Sequence, residues 1–201
     1  MSSGLNLNGV RVLGSVLDRS EQIALVQDLR LVARQAPFRH LVTPGGKRMS
    51  AQMTAAGEFG WNSDGRGYQY AALQRNGDPW PAIPSRLRNL WQKLLPSAKA
   101  PQSCLINYYG EDAKMGMHQD KDEADTAQPV LSVSLGDDAL FRVGTVLRGG
   151  KTSSVWLKSG DVAILDGESR LAYHGIEKIR FGSSTLLQNK GRINVTMRVV
   201  T

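Results

Sequence analysis

The stretch RINVTMRVV, residues 192–200, predicts a β-strand because polar and apolar positions alternate along it. Other short runs with the same period of two fill the chain from Ser103 onward, separated by Gly, Asp and Ser. These runs are SCLINYY (103–109), PVLSVSLG (129–136), ALFRVG (139–144), SSVWLKSGD (153–161) and VAILDG (162–167). Many short antiparallel strands with regular turns predict a β-sandwich or a double-sheet jelly roll, the architecture that includes the cupins.

Two amphipathic helices are predicted before these strands. DRSEQIALVQDLRLVAR, residues 18–34, begins with Asp18 and Ser20 as candidate N-caps and repeats apolar residues at helical spacing. PSRLRNLWQKLLP, residues 84–96, has Ser85 as its predicted cap and Pro96 as its stop. We expect both helices to brace one face of the sheet.

Composition predicts one soluble domain over residues 1–201, located in the cytoplasm and without a membrane segment. The single cysteine, Cys104, excludes an intramolecular disulfide and a thiolate zinc cluster, so any metal must be held by His, Asp or Glu. The formal net charge of +7 fits a polyanionic partner such as nucleic acid, although a basic balance alone does not establish one.

The histidines are few, and one of them stands beside acids in MGMHQDKDE, residues 115–123. In a strand, His118 and Asp120 would point to the same face while Gln119 points away. His174 follows far downstream in SRLAYHGI, where an antiparallel roll can bring it across the barrel. Two imidazoles and one carboxylate form the facial triad of non-haem Fe(II) oxygenases. The alternative is that residues 115–123 form an exposed charged turn.

Two arginines in the opening stretch predict an anion site. Arg192 and Arg198 share one strand face with Asn194. Burying two guanidiniums is costly unless they meet anions, and a dicarboxylate suits two planar bidentate donors. Asn107 and Tyr109 add neutral hydrogen-bonding groups at i and i+2. The alternative is a basic strand edge that faces solvent.

Taken together, these motifs resemble the AlkB family of Fe(II)- and 2-oxoglutarate-dependent dioxygenases over roughly residues 50–201. The segments that carry the resemblance are LINYYG (105–110), MHQDKDE (117–123), SVSLG (132–136), SGD (159–161), GESRLAYHGI (167–176) and RINVTMR (192–198). The resemblance implies a double-stranded β-helix, with an N-terminal extension and nucleotide-recognition lid in residues 1–100 and the catalytic part in residues 101–201. It also implies oxidative demethylation of 1-methyladenine and 3-methylcytosine in single-stranded DNA, and extension to RNA stays open. Formaldehyde, succinate and CO2 would be released in the repair of alkylated DNA.

The resemblance also assigns roles to individual residues. It implies that His118, Asp120 and His174 are the iron ligands. It implies that 2-oxoglutarate is held by Asn107, Tyr109, Arg192, Asn194 and Arg198. Arg192 would pair with the distal carboxylate, and Arg198 would lie nearer the iron and Asp120.

The segment GWNSDGRGYQY, residues 60–70, looks like the family's nucleotide-recognition lid. Trp61 and Tyr68 would contact the target base with Tyr70 nearby, and aromatic faces suit a methylated, cationic base. The alternative for Trp61 is an ordinary core tryptophan. Asp122 corresponds to a family residue that binds the exocyclic amine of the base, and Arg148 corresponds to a substrate-contacting arginine.

The chain departs from the family pattern in two loops. GED, residues 110–112, replaces the usual Pro-Gly without changing the spacing from Asn107 to His118, and GTVLRGGKTSS, residues 144–154, is irregular. Two rival functions stay open: the same iron chemistry on transfer RNA or a protein side chain, and a non-catalytic reader of modified nucleic acid. The intact triad argues against the reader. We expect a monomer.

Overall fold

The computed structural model describes residues 4–64 and 67–201. Its helices are α1 (Arg19–Gln35) and α2 (Ser85–Leu94), and a short 3-10 turn covers Gly167–Ser169. Its strands are β1 (Gly4–Leu7), β2 (Val10–Leu13), β3 (Arg39–Val42), β4 (Arg48–Gly57), β5 (Gly60–Asp64), β6 (Gly67–Ala71), β7 (Ser103–Tyr109), β8 (Met115–His118), β9 (Val130–Gly136), β10 (Asp138–Val143), β11 (Ser153–Leu157), β12 (Val162–Leu165), β13 (His174–Arg180) and β14 (Arg192–Arg198). Within the described ranges, no helix combines the length and apolar character needed to cross a membrane.

The strands form two main antiparallel sheets that enclose one apolar core. The large sheet has the order β1-β2-β12-β9-β14-β7-β4-β3, and the small sheet has the order β11-β10-β13-β8. Leu105 and Leu165 of the large sheet share a core cluster with Phe141 and Ile176 of the small sheet. Strands β5 and β6 pair separately as a hairpin. The predicted mainly β jelly roll with flanking helices is confirmed.

Strand β14 shows how the sequence positions the functional side chains. It lies between β9 and β7 near the middle of the large sheet. Ile193, Val195 and Met197 belong to the core that packs under both helices. The residues between them are buried on the opposite face, toward the small sheet, and are Arg192, Asn194, Thr196 and Arg198. Alternation along one strand therefore places apolar side chains on the face under the helices and polar side chains on the face toward the small sheet.

Both predicted helices are present and pack on one face of the large sheet, as expected, but two predicted caps are wrong. Asp18 caps α1 in a capping box with Glu21, whereas Ser20 lies inside the helix and donates to Asp18 Oδ1. In α2 the N-cap position is Pro84, whose side chain makes no capping hydrogen bond, and Ser85 is the first helical residue. The backbone at Pro84 is not helical (φ −51°, ψ 137°), and a proline side chain has no oxygen that could accept a capping hydrogen bond.

The segment before residue 101 also contributes to the main framework. Strands β1 and β2 continue the large sheet beyond β12, and β3 and β4 continue it beyond β7. The division into an N-terminal extension and a catalytic part stays a prediction. Two residues of the predicted lid, 65 and 66, lie outside the described residues, as do residues 1–3.

Asp137 fixes the loop that leads into β14. Its carboxylate has no exposed surface and accepts hydrogen bonds from the backbone amides of Gly182 (2.8 Å), Ser184 (2.8 Å) and Gly191 (2.7 Å). Gly191 directly precedes Arg192, so this carboxylate determines where the strand with the buried arginines begins.

We expect Asp137→Asn to lower the free energy of unfolding by on the order of 3 kcal/mol, because the new amide group would present its own donors to buried backbone donors. The neighbouring Asp138→Asn is the matched control, since it removes only the contact with Arg180 Nη1 (3.0 Å). That partly exposed pair should contribute less than about 1 kcal/mol. Urea unfolding measures both variants, and equal small losses would contradict the role given to Asp137.

Candidate metal and 2-oxoglutarate site

A cavity of about 330 Å³ lies between the two sheets and opens beneath the β5–β6 hairpin. Every site residue singled out from the sequence lines it. These residues are Trp61, Tyr68, Tyr70, Asn107, Tyr109, His118, Asp120, Asp122, Arg148, His174, Arg192, Asn194 and Arg198. The fold therefore brings together side chains from both sheets, the hairpin and two loops.

Two histidines and one aspartate meet at the small sheet. His118 is the last residue of β8 and pairs in register with His174, the first residue of β13. Their ligand atoms and a carboxylate oxygen of Asp120 lie within 4.8 Å of one another. His118 Nε2 is 3.6 Å from Asp120 Oδ1, and His174 Nε2 is 3.8 Å from Asp120 Oδ2. This geometry can hold one metal ion.

Asp120 does not share a strand with His118, contrary to the sequence-based prediction, because β8 ends at His118. Gln119 does not simply point away from the site either. Its amide donates to the carbonyls of Leu171 (2.6 Å) and Val146 (3.2 Å), and it lines the cavity. The strand ends at His118, and from the segment that follows the Asp120 carboxylate approaches both imidazoles.

Backbone carbonyls orient both imidazoles. His118 Nδ1 lies 2.9 Å from the carbonyl of Gly116, and His174 Nδ1 lies 3.0 Å from that of Ala172. A carbonyl can only accept, so each Nδ1 carries a proton and each Nε2 keeps its lone pair for a metal. Burial, together with the neighbouring His118, lowers the pKa of His174 to about 4 and keeps that ring neutral at physiological pH.

Arg198 controls the charge of Asp120. Its Nη2 lies 2.8 Å from Asp120 Oδ2, and both side chains are buried. Burial alone would raise the pKa of Asp120, but the Arg198 guanidinium and the two imidazoles outweigh it and hold that pKa well below its usual range. The carboxylate is therefore charged and available as a ligand.

Arg192 occupies a different electrostatic environment. It is fully buried, and Nη2 donates to Ser134 Oγ at 2.8 Å. Its Nε and Nη1 have no hydrogen-bond partner, and no carboxylate of the described residues forms a salt bridge with it. Burial lowers the pKa of Arg192 to about 10, which still leaves the guanidinium charged at neutral pH. The alternative, a basic strand edge that faces solvent, is thus wrong.

Neutral polar groups surround this unpaired charge. Asn194 stands opposite Asn107 in the β14–β7 register, and Arg192 stands opposite Tyr109. The buried Oδ1 of Asn107 has no partner, and Asn194 Nδ2 donates to Ser132 Oγ (2.6 Å). Burial raises the pKa of Tyr109 to about 12, so its hydroxyl stays protonated. Buried polar atoms rarely lack partners, and the two free donors of Arg192 fit a bound, oxygen-rich dianion such as 2-oxoglutarate, whereas Asn107 Oδ1 can only accept a hydrogen bond.

Glu123 and Arg170 are site residues that sequence reasoning missed. The Arg170 guanidinium is buried and donates to the carbonyls of Asp120 (2.6 Å) and Gln128 (2.6 Å) and to Glu123 Oε2 (3.0 Å). The hydroxyl of Tyr70 donates to Glu123 Oε1 at 2.5 Å. The only sequence signal was their place in the HQDKDE and GESRLAYHGI segments, which does not distinguish a buried ion pair from exposed charges.

The open end of the cavity carries the aromatic residues. Trp61 and Tyr68 stack with ring centroids 5.2 Å apart and an interplanar angle of 20°. Trp61 Nε1 donates to Asp122 Oδ2 at 2.9 Å. Trp61 is half-buried against the inter-sheet core and also lines the cavity, so it is more than a core tryptophan. Asp122 and Arg148 are exposed at this end.

Comparison with known proteins places this arrangement in a family. Residues 9–198 match the 2OG-Fe(II) oxygenase superfamily. An alpha-ketoglutarate-dependent dioxygenase AlkB homolog of Caulobacter vibrioides is 50% identical over 191 residues, which cover 94% of this chain and 87% of that protein. The alpha-ketoglutarate-dependent dioxygenase AlkB of Escherichia coli K12 is 42% identical over 179 residues, which cover 87% of this chain and 82% of that protein. Alpha-ketoglutarate is another name for 2-oxoglutarate.

Similarity extends to a solved structure and to a plant protein. The structure of OsALKBH1 matches with a TM-score of 0.80 and 29% identity, over 95% of this chain and 98% of that chain. The DNA N(6)-methyladenine demethylase ALKBH1D of Arabidopsis thaliana is 38% identical over 117 residues, 53% of this chain and 26% of that protein. The resemblance predicted from the sequence motifs is confirmed. The chain belongs to the AlkB family of the 2OG-Fe(II) oxygenase superfamily and is a dioxygenase that uses Fe(II), 2-oxoglutarate and O2.

Proposed function

We propose that this protein oxidatively removes methyl groups from N-alkylated nucleobases, with 1-methyladenine and 3-methylcytosine in single-stranded DNA as its main substrates. Formaldehyde, succinate and CO2 are the expected products, and repair of alkylated DNA is the expected role. One observation carries the proposal: a single cavity joins a His–Asp–His cluster to an aromatic stack with an adjacent carboxylate.

His118, Asp120 and His174 would hold Fe(II). When bound, Fe(II), 2-oxoglutarate and O2 supply the oxidising chemistry that hydroxylates an N-methyl group. The protein's part is to fix its own ligands. The Nδ1–H bonds to Gly116 and Ala172 set the two rings, and Arg198 keeps the Asp120 carboxylate charged and oriented.

Arg192 would bind the distal carboxylate of 2-oxoglutarate, since its Nε and Nη1 have no other partner. Asn107, Tyr109 and Asn194 would surround the cosubstrate with neutral hydrogen-bonding groups. Placing these groups on facing positions of β7 and β14 fixes their spacing through the strand register. The cosubstrate would thereby be held before the nucleobase enters.

At the open end, Trp61 and Tyr68 would contact the face of the target base. The carboxylate of Asp122 would accept a hydrogen bond from the exocyclic amine and stabilise the positive charge of 1-methyladenine or 3-methylcytosine. The Trp61 Nε1–H bond holds that carboxylate in place. Because the methylated edge of a base is hidden in a duplex, the base must be presented on a single strand or turned out of the helix.

The basic balance of the chain, +7, supports a polyanionic substrate. The name of the Arabidopsis relative, a DNA N(6)-methyladenine demethylase, supports the same chemical class. A cytoplasmic location and a monomeric state stay predictions.

The direct test compares matched methylated DNA, transfer RNA and methylated peptide as substrates, with formaldehyde and succinate measured together. With methylated single-stranded DNA we expect formaldehyde to form in an amount equal to the succinate formed above the substrate-free background. If only the peptide released formaldehyde, the substrate would be a protein side chain and the proposed nucleic-acid substrate would be wrong. Binding of methylated DNA without formaldehyde would instead indicate a non-catalytic reader.

We expect His118→Ala to abolish formaldehyde release and to weaken Fe(II) or Mn(II) binding, because it removes one metal ligand. The side chain is 40% exposed, so the free energy of unfolding should change by less than about 1 kcal/mol. His40→Ala is the matched control, since His40 contacts the carbonyl of Met49 and does not line the cavity. Metal titration and unfolding are measured for both variants. Full activity of His118→Ala would show that His118 is not a metal ligand.

Asp122→Asn should reduce kcat/KM on 1-methyladenine or 3-methylcytosine by about tenfold or more, because a charge-assisted contact with a cation is lost. The effect on neutral 3-methylthymine should be much smaller, and decarboxylation of 2-oxoglutarate without substrate should persist. Asp112→Asn, an exposed acid in the turn before β8, is the control for charge alone. An equal loss of kcat/KM on charged and neutral lesions would show that Asp122 does not recognise the charge of the base.

A further inference from the structure

An exposed apolar tip lies beside the mouth of the cavity. The loop that joins β10 to β11, residues 144–152 and here called the rim loop, places Arg148 on the cavity lining. The preceding residue, Leu147, is 74% exposed, more than any other large apolar side chain in the described residues. Val146, the residue before Leu147, is also exposed, and the exposed Met117 lies against Gly144 at the base of the loop.

The rim loop is attached to the backbone around the metal cluster. The amide of Gly144 donates to the carbonyl of Tyr173 (2.7 Å), and the amide of Tyr173 donates to the carbonyl of Thr145 (3.0 Å). Tyr173 is the residue before His174. One end of the loop is therefore held at a fixed distance from the candidate metal ligands.

A second attachment and an internal turn hold the tip itself. Gln119, which lies between His118 and Asp120, donates to the carbonyl of Val146 at 3.2 Å. Thr145 Oγ1 donates to the carbonyl of Leu147 (3.0 Å) and lies 3.3 Å from its amide. Leu147 is thus presented to solvent by an ordered turn and not by a free loop.

A DNA duplex with one base turned out offers an apolar gap that Leu147 could fill. Turning a base out of a duplex leaves a gap in the stack and costs stacking energy. Proteins that distort duplex DNA insert Leu, Met, Phe or Ile between base steps at such places. Arg148 lines the cavity that would receive the base, and the excess of positive charge draws a polyanion to the surface.

We propose that Leu147 is an apolar wedge that fills the gap left in a duplex when the methylated base enters the cavity. This role rests on the proposed dealkylation of nucleobases. Leu147 would therefore set the activity on double-stranded relative to single-stranded substrates. A single strand needs no wedge, because its bases are already free to leave the stack.

The test compares Leu147→Gln with the matched control Leu31→Gln, a 53% exposed leucine on α1 that does not line the cavity. The substrates are one oligonucleotide that contains 3-methylcytosine, used alone and annealed to its complement. We expect Leu147→Gln to lower kcat/KM on the duplex by about tenfold and to change the single-strand value much less. Leu31→Gln should change neither, and Leu147→Met should restore most of the duplex activity.

A fluorescence measurement reports the insertion directly. 2-Aminopurine placed next to the lesion in the duplex should brighten on binding of the wild-type protein and brighten less with Leu147→Gln, because its stacking is disturbed by the wedge. Equal losses on both substrates, no loss on either, or a wild-type protein that cannot use the duplex would overturn the wedge. Each of these outcomes leaves the proposed function intact, whereas a wild-type protein inactive on every methylated oligonucleotide would overturn both.

Discussion

A buried guanidinium without a carboxylate partner in the described part of the chain is the constraint on which the site depends. Removing a charge from water costs several kcal/mol unless an anion compensates for it. Arg192 meets only the hydroxyl of Ser134, and two of its nitrogens donate to nothing. The sheet, the helices behind it and the Asp137 loop all hold β14 so that this side chain points inward. We propose that an anion from outside the chain supplies the missing partner of Arg192.

Arg192 and Arg198 belong to the same strand face, yet their electrostatic roles differ. Arg198 is matched by two buried carboxylates, Asp120 and Glu123. Burial lowers the pKa of Arg198, but these carboxylates and Tyr70 outweigh it and raise that pKa above its usual value. In the proposed function, the charge of Arg198 stabilises the metal cluster and the charge of Arg192 binds the cosubstrate. Six positions of one strand separate the two functions.

The sequence predicts those features whose cause is local. The run SCLINYY coincides with β7, because alternation along a strand is set by neighbouring residues. The same alternation places Arg192 and Asn194 in the interior. The position of Asp120 beyond the end of β8 was not predicted, because that end depends on pairing with β13. The Arg170–Glu123 pair joins residues 47 positions apart, and no local pattern indicates such a contact.

Thermal unfolding with Mn(II) in the absence of O2 measures whether Arg192 binds the distal carboxylate of 2-oxoglutarate. We expect 2-oxoglutarate to raise the Tm strongly, while pyruvate, which has the keto acid but no distal carboxylate, raises it little. In Arg192→Gln the difference between the two ligands should nearly vanish, since a charge-assisted pair contributes about 1.5–3 kcal/mol. Equal stabilisation of the wild-type protein by 2-oxoglutarate and pyruvate would show that Arg192 does not bind the distal carboxylate.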